Sequence, residues 1–201
     1  MFFTRKFSGY GLFYIFDQTV NTMNAKEKLL SEAAKLFASK GFSETGTDEI
    51  VRNSGVAKGL LFYHYKSKEG LLQAVLERAW EVIRNSCEVD IEDKSPHRTL
   101  RTLIKQMTRS LEKDHDYRKL YMAVLLNKSL THKLDVALKN PSEAYYETII
   151  QLFRKMGKKN PQRWALSFDI HFKGVSYGYM TEPKTFPLDD TRQMMVDMFT
   201  R

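Results

Sequence analysis

The sequence predicts an all-α protein in which a helix-turn-helix precedes a longer helical region. Three observations predict it. Apolar residues recur at i, i+4 and i+7 along most of the chain, the period of a helix buried on one side. No stretch sustains the period-2 alternation of a half-buried strand. Capping residues and helix breakers (Asn24, Gly41, Thr47, Gly55, Ser67, Pro96, Pro141, Gly157 and Pro161) punctuate the periodic segments.

The first helix is expected from Asn24 to Lys40. Asn24 followed by Glu27 resembles a capping box, Leu29, Ala33 and Leu36 form an apolar stripe, and Lys40-Gly41 supplies a stop. A short helix is expected from Thr47 to Asn53, with Thr47 as N-cap, Asp48 and Glu49 against the helix dipole, and Ile50 and Val51 inward. Ser54-Gly55 breaks it, and a second short helix runs from Lys58 to Tyr65. Ser67 caps a longer helix whose apolar face is Leu71, Leu72, Val75, Leu76, Ala79, Trp80 and Ile83. The polar stretch 87–95 reads as a linker. Pro96 starts a helix through Leu111, and Tyr117, Leu120, Tyr121, Val124 and Leu125 mark the next. Pro141 kinks or starts a segment ending at Gly157. Pro161 opens a helix through Tyr179, and Asp189 opens the last one.

Residues 1–22 differ from the rest, being aromatic-rich and without a helical period. Arg5 and Lys6 give a basic start, but Leu12 to Phe16 is too short for a signal peptide's apolar stretch, and no small-residue cleavage site follows. They are expected to be an extension from an upstream start, disordered or loosely packed; the alternative is an amphipathic arm that touches DNA or membrane. The domains expected beyond it are 23–68 and 69–201.

Composition narrows the class. A hydrophobic fraction of 42% and a charged fraction of 28% are those of a soluble globular protein, which excludes disordered and fibrous classes. The lone Cys87 excludes a disulfide framework and fits a reducing compartment, so a cytoplasmic location is expected. No apolar run approaches the roughly 20 residues needed to span a bilayer. The net charge of +8 is spread unevenly, +1 over residues 1–90 and +7 over the remainder. Charge therefore favours contact with phosphates in general but does not locate a site.

Residues 47–68, TDEIVRNSGVAKGLLFYHYKSK, form one unit of short helix, Ser-Gly turn and short helix. That is the layout in which one helix braces and the next enters the major groove of duplex DNA. Gly55 frees the backbone for the turn, and Ile50, Val51, Val56, Leu61 and Tyr65 are available to hold the second helix. Lys58, Gly59, Leu60, Phe62, Tyr63 and His64 are left for its outer face.

Residues 24–85 resemble the DNA-binding domain of the TetR family of bacterial transcriptional regulators. The resemblance is carried by Ala34-Lys35-Leu36-Phe37, Lys40-Gly41-Phe42, Thr47 with Ile50, Gly55-Val56-Ala57-Lys58-Gly59, and the run from Phe62 to Leu72. It implies that Thr47 binds a phosphate at a helix N-terminus, that Lys58 reaches a phosphate or base edge, and that Gly59 admits close backbone approach. It also implies that Tyr63 and His64 hold phosphates and that Lys68 adds a cation. Leu60 and Phe62 depart from the family pattern of a small polar residue and a Tyr. Their apolar surfaces suit thymine methyls rather than bidentate hydrogen bonds, so thymines are expected beneath them.

The resemblance further implies a C-terminal helical domain for ligand binding and dimerisation, and a palindromic duplex operator bound by a homodimer. A repressor released by an unknown small-molecule effector is the expectation; an activator or a ligand-blind regulator is the alternative. Candidate cavity residues are Trp80, Tyr117, Tyr121, Tyr145, Phe153, Phe168 and His171. Candidate dimer residues, on the last two helices, are Phe172, Val175, Met194, Met195 and Met198. No cofactor, metal site or membrane partner is expected, because the five histidines lack ligand spacing. An enzyme is not expected either: no G-x-S-x-G, P-loop, G-x-G-x-x-G or H-E-x-x-H motif occurs. An all-helical protein-interaction module is the remaining competitor, and it predicts no salt-dependent DNA binding.

Overall fold

The computed structural model describes residues 10–93, 95–127, 131 and 139–201, with side chains from Ala25 onward. Among the described residues every regular element is a helix, and they fall into two compact units, divided between Val75 and Leu76.

The first unit holds α1 (Tyr10–Lys40), α2 (Thr47–Ser54), α3 (Lys58–Tyr65) and the start of α4 (Lys68–Asn85). The structure begins α1 at Tyr10 rather than at Asn24, so Asn24 lies within a helix and not at its N-terminus. Residues 10–22 are accordingly helical backbone and not a segment without helical structure; extending a formed helix costs far less than nucleating one. The expectation for residues 1–9 lies outside the described residues. Gly41 stops α1 at φ +90. The buried Thr45 then donates its hydroxyl to the carbonyls of Leu36 and Gly41, satisfying acceptors that the helix end leaves open.

α1 packs on α2 and α3 through Leu29, Ala33 and Phe37 on one side and Ile50, Val56, Leu61 and Tyr65 on the other, all of them buried. The α1–α2 contact is also tied at its rim, where Lys40 pairs with Glu49 and the Asn53 amide donates to Glu32 at 3.0 Å. Gly55 ends α2 in the left-handed conformation at φ 66, as the turn requires. The N-cap of α2 is Gly46, with Thr47 the first helical residue, so the expected Thr47 cap is displaced by one position. After α3 the chain reverses through Lys66 at φ 66, and Ser67 caps α4 by accepting from the Gly70 amide at 3.0 Å.

The second unit continues with α5 (Pro96–Lys113), α6 (His115–Leu126), a single 3-10 turn (Pro141–Ala144), α7 (Tyr146–Lys155), α8 (Pro161–Thr181) and α9 (Leu188–Phe199). Ser95 caps α5 by accepting from the Arg98 amide, with Pro96 in the first turn. α5 lies at the centre of this unit, in contact with α6, α7, α8 and α9, and Leu100, Leu103, Ile104, Met107 and Leu111 are all buried along it. Around it sits an aromatic wall in which the Phe199 ring lies 6.1 Å from Phe153 and 5.2 Å from Phe168.

The unit boundary falls inside α4, later than the expected Lys68, because Leu71, Leu72 and Val75 are fully buried before it. Gly70 sits where a Cβ would lie 2.1 Å from the Tyr65 carbonyl oxygen. Gly70→Ala is therefore expected to destabilise the chain by about 1–3 kcal/mol through overpacking, measured as a lower urea midpoint. An unchanged midpoint would contradict this packing.

Candidate functional site

α3 sorts its side chains by helical spacing. Leu61 and Tyr65, four residues apart, point into the first unit, where the Tyr65 hydroxyl donates to the Lys26 carbonyl at 2.9 Å. Lys58, Gly59, Phe62 and Tyr63, at i, i+1, i+4 and i+5, form the exposed stripe. Phe62 is 41% exposed and Tyr63 69%, large values for aromatic residues that nothing in the protein covers. Leu60 and His64 flank the stripe, half-buried. At Gly59 a Cβ would meet nothing within 4 Å, so no packing inside the protein explains the missing side chain. The stripe thus offers a cation, a bare stretch of backbone and two aromatic rings.

α2 contributes its N-terminus. Its N-cap, Gly46, has no side chain to satisfy the first-turn amides, and the half-buried Thr47 stands beside them. Such a helix N-terminus attracts anions in general. The Lys58 ammonium lies 2.5 Å from Asp48 Oδ1, an exposed pair worth little in water and open to exchange for a phosphate. Lys66, which the sequence reading passed over, adds a cation 5.9 Å from the Tyr63 ring centre. The Lys-Ser-Lys run after α3 was its signal.

Two expected phosphate contacts are placed differently. His64 turns aside from the stripe, its ring 5.1 Å from Tyr63 and 6.1 Å from Tyr65. Its Nε2 is buried without a partner among the described residues. Burial, reinforced by the Lys26 charge, lowers its pKa, so it is neutral at pH 7 and does not present a cation. Lys68 points its ammonium at the Ser43 carbonyl, 3.3 Å away, and over the Phe42 ring at 4.4 Å. A cation at a helix N-terminus opposes the dipole, and these contacts draw it off the axis into a structural brace.

The second unit holds a partly open cavity of about 480 Å³, a size suited to a small organic molecule. Of the expected lining residues, Tyr121 and Tyr145 line it. Trp80 does not; it stacks on Tyr121 from outside with ring centres 6.4 Å apart. Tyr117 is half-buried and away from the cavity, and Phe153 and Phe168 are fully buried in the aromatic wall. His171 faces outward, with Nδ1 2.7 Å from the Ser167 carbonyl. Phe172, expected at a dimer contact, lines the cavity instead.

Two polar groups reach the cavity that the sequence reading missed. Arg118 is only 8% exposed. Its Nε donates to Ser110 Oγ at 2.9 Å and its Nη2 to Ser86 Oγ at 2.6 Å. Burial lowers its pKa, against the opposing influence of Cys87, Asp114 and Tyr145, yet a guanidinium stays charged in a protein. Its signal in the sequence was its spacing, three residues before the buried Tyr121 on one face of α6. Lys173 also lines the cavity, with Nζ 2.7 Å from Asp169 Oδ2. Asp169 accepts as well from Ser142 and Tyr145, each at 2.6 Å. Burial alone would raise the Asp169 pKa, but the bonds from Lys173, Ser142 and Tyr145 prevail and hold it below the ordinary carboxylate value. Burial, with the Asp169 carboxylate beside it, pushes the Tyr145 phenol far up, and burial pushes Tyr121 to about 12 and Cys87 to about 11, so all three are neutral at pH 7.

The expected dimer residues divide. Val175 and Met195, like Phe172, are buried inside the protomer and belong to its core. Met194 and Met198 are exposed on α9. Leu166, Ile170 and Tyr177 are exposed on α8, at i, i+4 and i+11, on a different side of that helix from Phe168, Phe172 and Val175. Tyr177 also borders the cavity, and exposed apolar side chains at helical spacing suit an interaction face.

Fold and stripe together define a helix-turn-helix protein with a second, cavity-bearing helical unit. The family profile "Bacterial regulatory proteins, tetR family" matches residues 29–75, which span the C-terminal half of α1 to the first turns of α4. YuxN of Bacillus subtilis (strain 168), an uncharacterized HTH-type transcriptional regulator, is 30% identical over 169 residues, 83% of this chain and 50% of its own. The HTH-type transcriptional regulator QacR of Staphylococcus aureus is 44% identical over 62 residues, 29% of this chain and 33% of QacR. The crystal structure of PfmR, a TetR family transcriptional regulator from Thermus thermophilus, aligns with a TM-score of 0.70 at 20% identity, covering 86% of this chain and 97% of that one. Residues 29–75 thus carry the tetR-family domain of bacterial regulatory proteins, and the relatives matched are HTH-type transcriptional regulators by name. It spans about half the length of the curated relatives YerO and YuxN, 54% and 50%. Among the described residues no helix is long and apolar enough to cross a membrane.

Because the folded Asp169 pKa is depressed, its ionised form stabilises the fold above the unfolded pKa, and that contribution is lost as pH falls through the folded one. Asp169→Asn is expected to cost about 2 kcal/mol near neutral pH, the scale of a hydrogen bond to a charged group. The difference from the unsubstituted chain should narrow once pH drops below the ordinary value of 3.8. Urea unfolding across pH checks this, and a penalty that does not narrow in acid would contradict it.

Proposed function

We propose that the chain is a sequence-specific DNA-binding transcriptional regulator, a cytoplasmic repressor that holds a palindromic operator as a homodimer and leaves it when a small molecule fills its cavity. The outer stripe of α3 carries this reading. Lys58, Gly59, Phe62 and Tyr63 are exposed together on a helix whose other side is locked to α1, and Gly59 has open space where a side chain would sit. A rigid helix with one free face is what the major groove accepts. Gly59 lets backbone approach the duplex, Lys58 exchanges Asp48 for a phosphate, and Tyr63 donates its hydroxyl to another. The uncapped amides of α2 with Thr47 grip a third phosphate and set the angle of entry. Phe62 and the edge of Leu60 meet thymine methyls.

One reading helix covers a few base pairs, so two copies across a two-fold axis supply the rest of the specificity. The exposed Leu166, Ile170 and Tyr177 on α8, with Met194 and Met198 on α9, are the surface we assign to that pairing. The effector acts through α4, which follows α3 directly in the chain and lends Ile83 to the cavity wall. A ligand that binds one arrangement of the dimer better than the other shifts the population between them.

Selection of full-length chain on random duplex DNA at near-physiological salt tests the reading. An enriched inverted repeat is expected, with affinity that falls steeply as salt rises. Tyr63→Ala should weaken binding to it at least about tenfold. Gly59→Ala should also weaken binding while stabilising the free chain by up to about 1 kcal/mol, since Ala is the better helix former. No enrichment from folded, dimeric protein would overturn the proposal.

A further inference from the structure

The charge inside the cavity is of one sign. Among the described residues its lining carries two formal charges at pH 7, Arg118 and Lys173, and no Asp or Glu. Lys173 is neutralised by Asp169, which is itself closed off by Ser142 and Tyr145. Arg118 is not neutralised. Among the described residues no carboxylate forms an ion pair with it. Asp114 acts on it electrostatically and is linked to it through the Ser110 hydroxyl, which donates to Asp114 Oδ2 at 2.9 Å, but forms no ion pair with it. Its contacts are hydroxyl oxygens that stabilise a cation without cancelling it, and no described residue accepts from its Nη1. A buried charge without a counter-charge is costly to the fold. The remaining wall is apolar, formed by side chains such as Met107, Leu111, Met122, Leu125 and Met180.

We infer that the effector is an apolar acid: a hydrophobic body bearing one negatively charged group, which pairs with Arg118. This inference rests on the proposal that the cavity is the effector site and adds the chemical class. The acid supplies the missing counter-charge, in an apolar setting where a bidentate guanidinium pair is strong. The same setting excludes lipophilic cations, which would meet Arg118 without a compensating carboxylate in the wall. Straight-chain and aromatic carboxylates share the required chemistry, and the width of the apolar wall decides between them.

Isothermal titration of the full chain with decanoate and decan-1-ol, and with 2-naphthoate and 2-naphthol, tests the inference. One acid is expected to bind at least about tenfold more tightly than its neutral partner. Arg118→Met should abolish that preference while still binding the neutral compound, and Arg118→Lys should keep part of it. If Arg118→Met does not fold, the acid-to-neutral ratio on the unsubstituted chain and on Arg118→Lys still decides. Equal binding of acid and neutral partner in both pairs overturns the inference and leaves the cavity as a binding site. Binding of none of the four overturns the inference and the cavity's proposed role together. Acid-selective, Arg118-dependent binding that leaves operator affinity unchanged supports the ligand class and overturns the effector role.

Discussion

The anchoring of α3 by Leu61 and Tyr65 is the constraint on which the first unit depends. Leu61 is fully buried, and Tyr65 combines a buried ring with a hydroxyl bonded to the backbone of α1. Burying two such side chains contributes about 3–6 kcal/mol in transfer terms. The same two contacts fix the rotation of α3 about its axis. With positions 61 and 65 inward, 58, 59, 62 and 63 have no choice but to face out. The tight turn at Gly55, the rim contacts between α1 and α2, and the Lys68 brace all preserve that orientation. A reading face needs such rigidity, because base-edge contacts are lost when the helix rolls.

The second unit has a different logic. Its centre is closed by α5 and the Phe153, Phe168 and Phe199 wall, and its cavity lies beside that wall rather than within it. Two polar clusters border the cavity. The one at Asp169 is satisfied internally and positions Tyr145 and Lys173. The one at Arg118 has donors left over. Internal satisfaction reads as structure, and surplus charge reads as an invitation to a ligand. α4 belongs in part to each unit, so the helix that follows the reading head is also one of the cavity's walls.

The helices and the turn were legible because their signals are local: Gly55 and Gly41 at positive φ, Ser67 as a cap, Pro96 in a first turn, and apolar stripes on α4, α5 and α7. The outer stripe of α3 was legible for the same reason. What sequence missed depended on partners distant along the chain. Lys68 lies against Ser43 and Phe42, and burial reinforced by the Lys26 charge lowers the His64 pKa, surroundings that no local pattern announces. Aromatic residues at helical spacing could not be sorted between wall and cavity, and Phe153 and Phe168 went to the wall. Arg118 was passed over because its serine partners lie 8 and 32 positions away along the chain. The exposed face of α8 was overlooked because Leu166 and Ile170 lie off the stripe that forms the core.

The account's central claim is that the outward stripe of α3 is the surface that meets DNA. Hydroxyl-radical footprinting of the protein, read by mass spectrometry with and without the selected operator, tests it directly. Oxidation of Phe62 and Tyr63 should fall several-fold in the complex, while that of Tyr177 and Met194 should not respond to DNA. Phe62 and Tyr63 remaining equally reactive on the operator, with protection appearing elsewhere, would contradict the account.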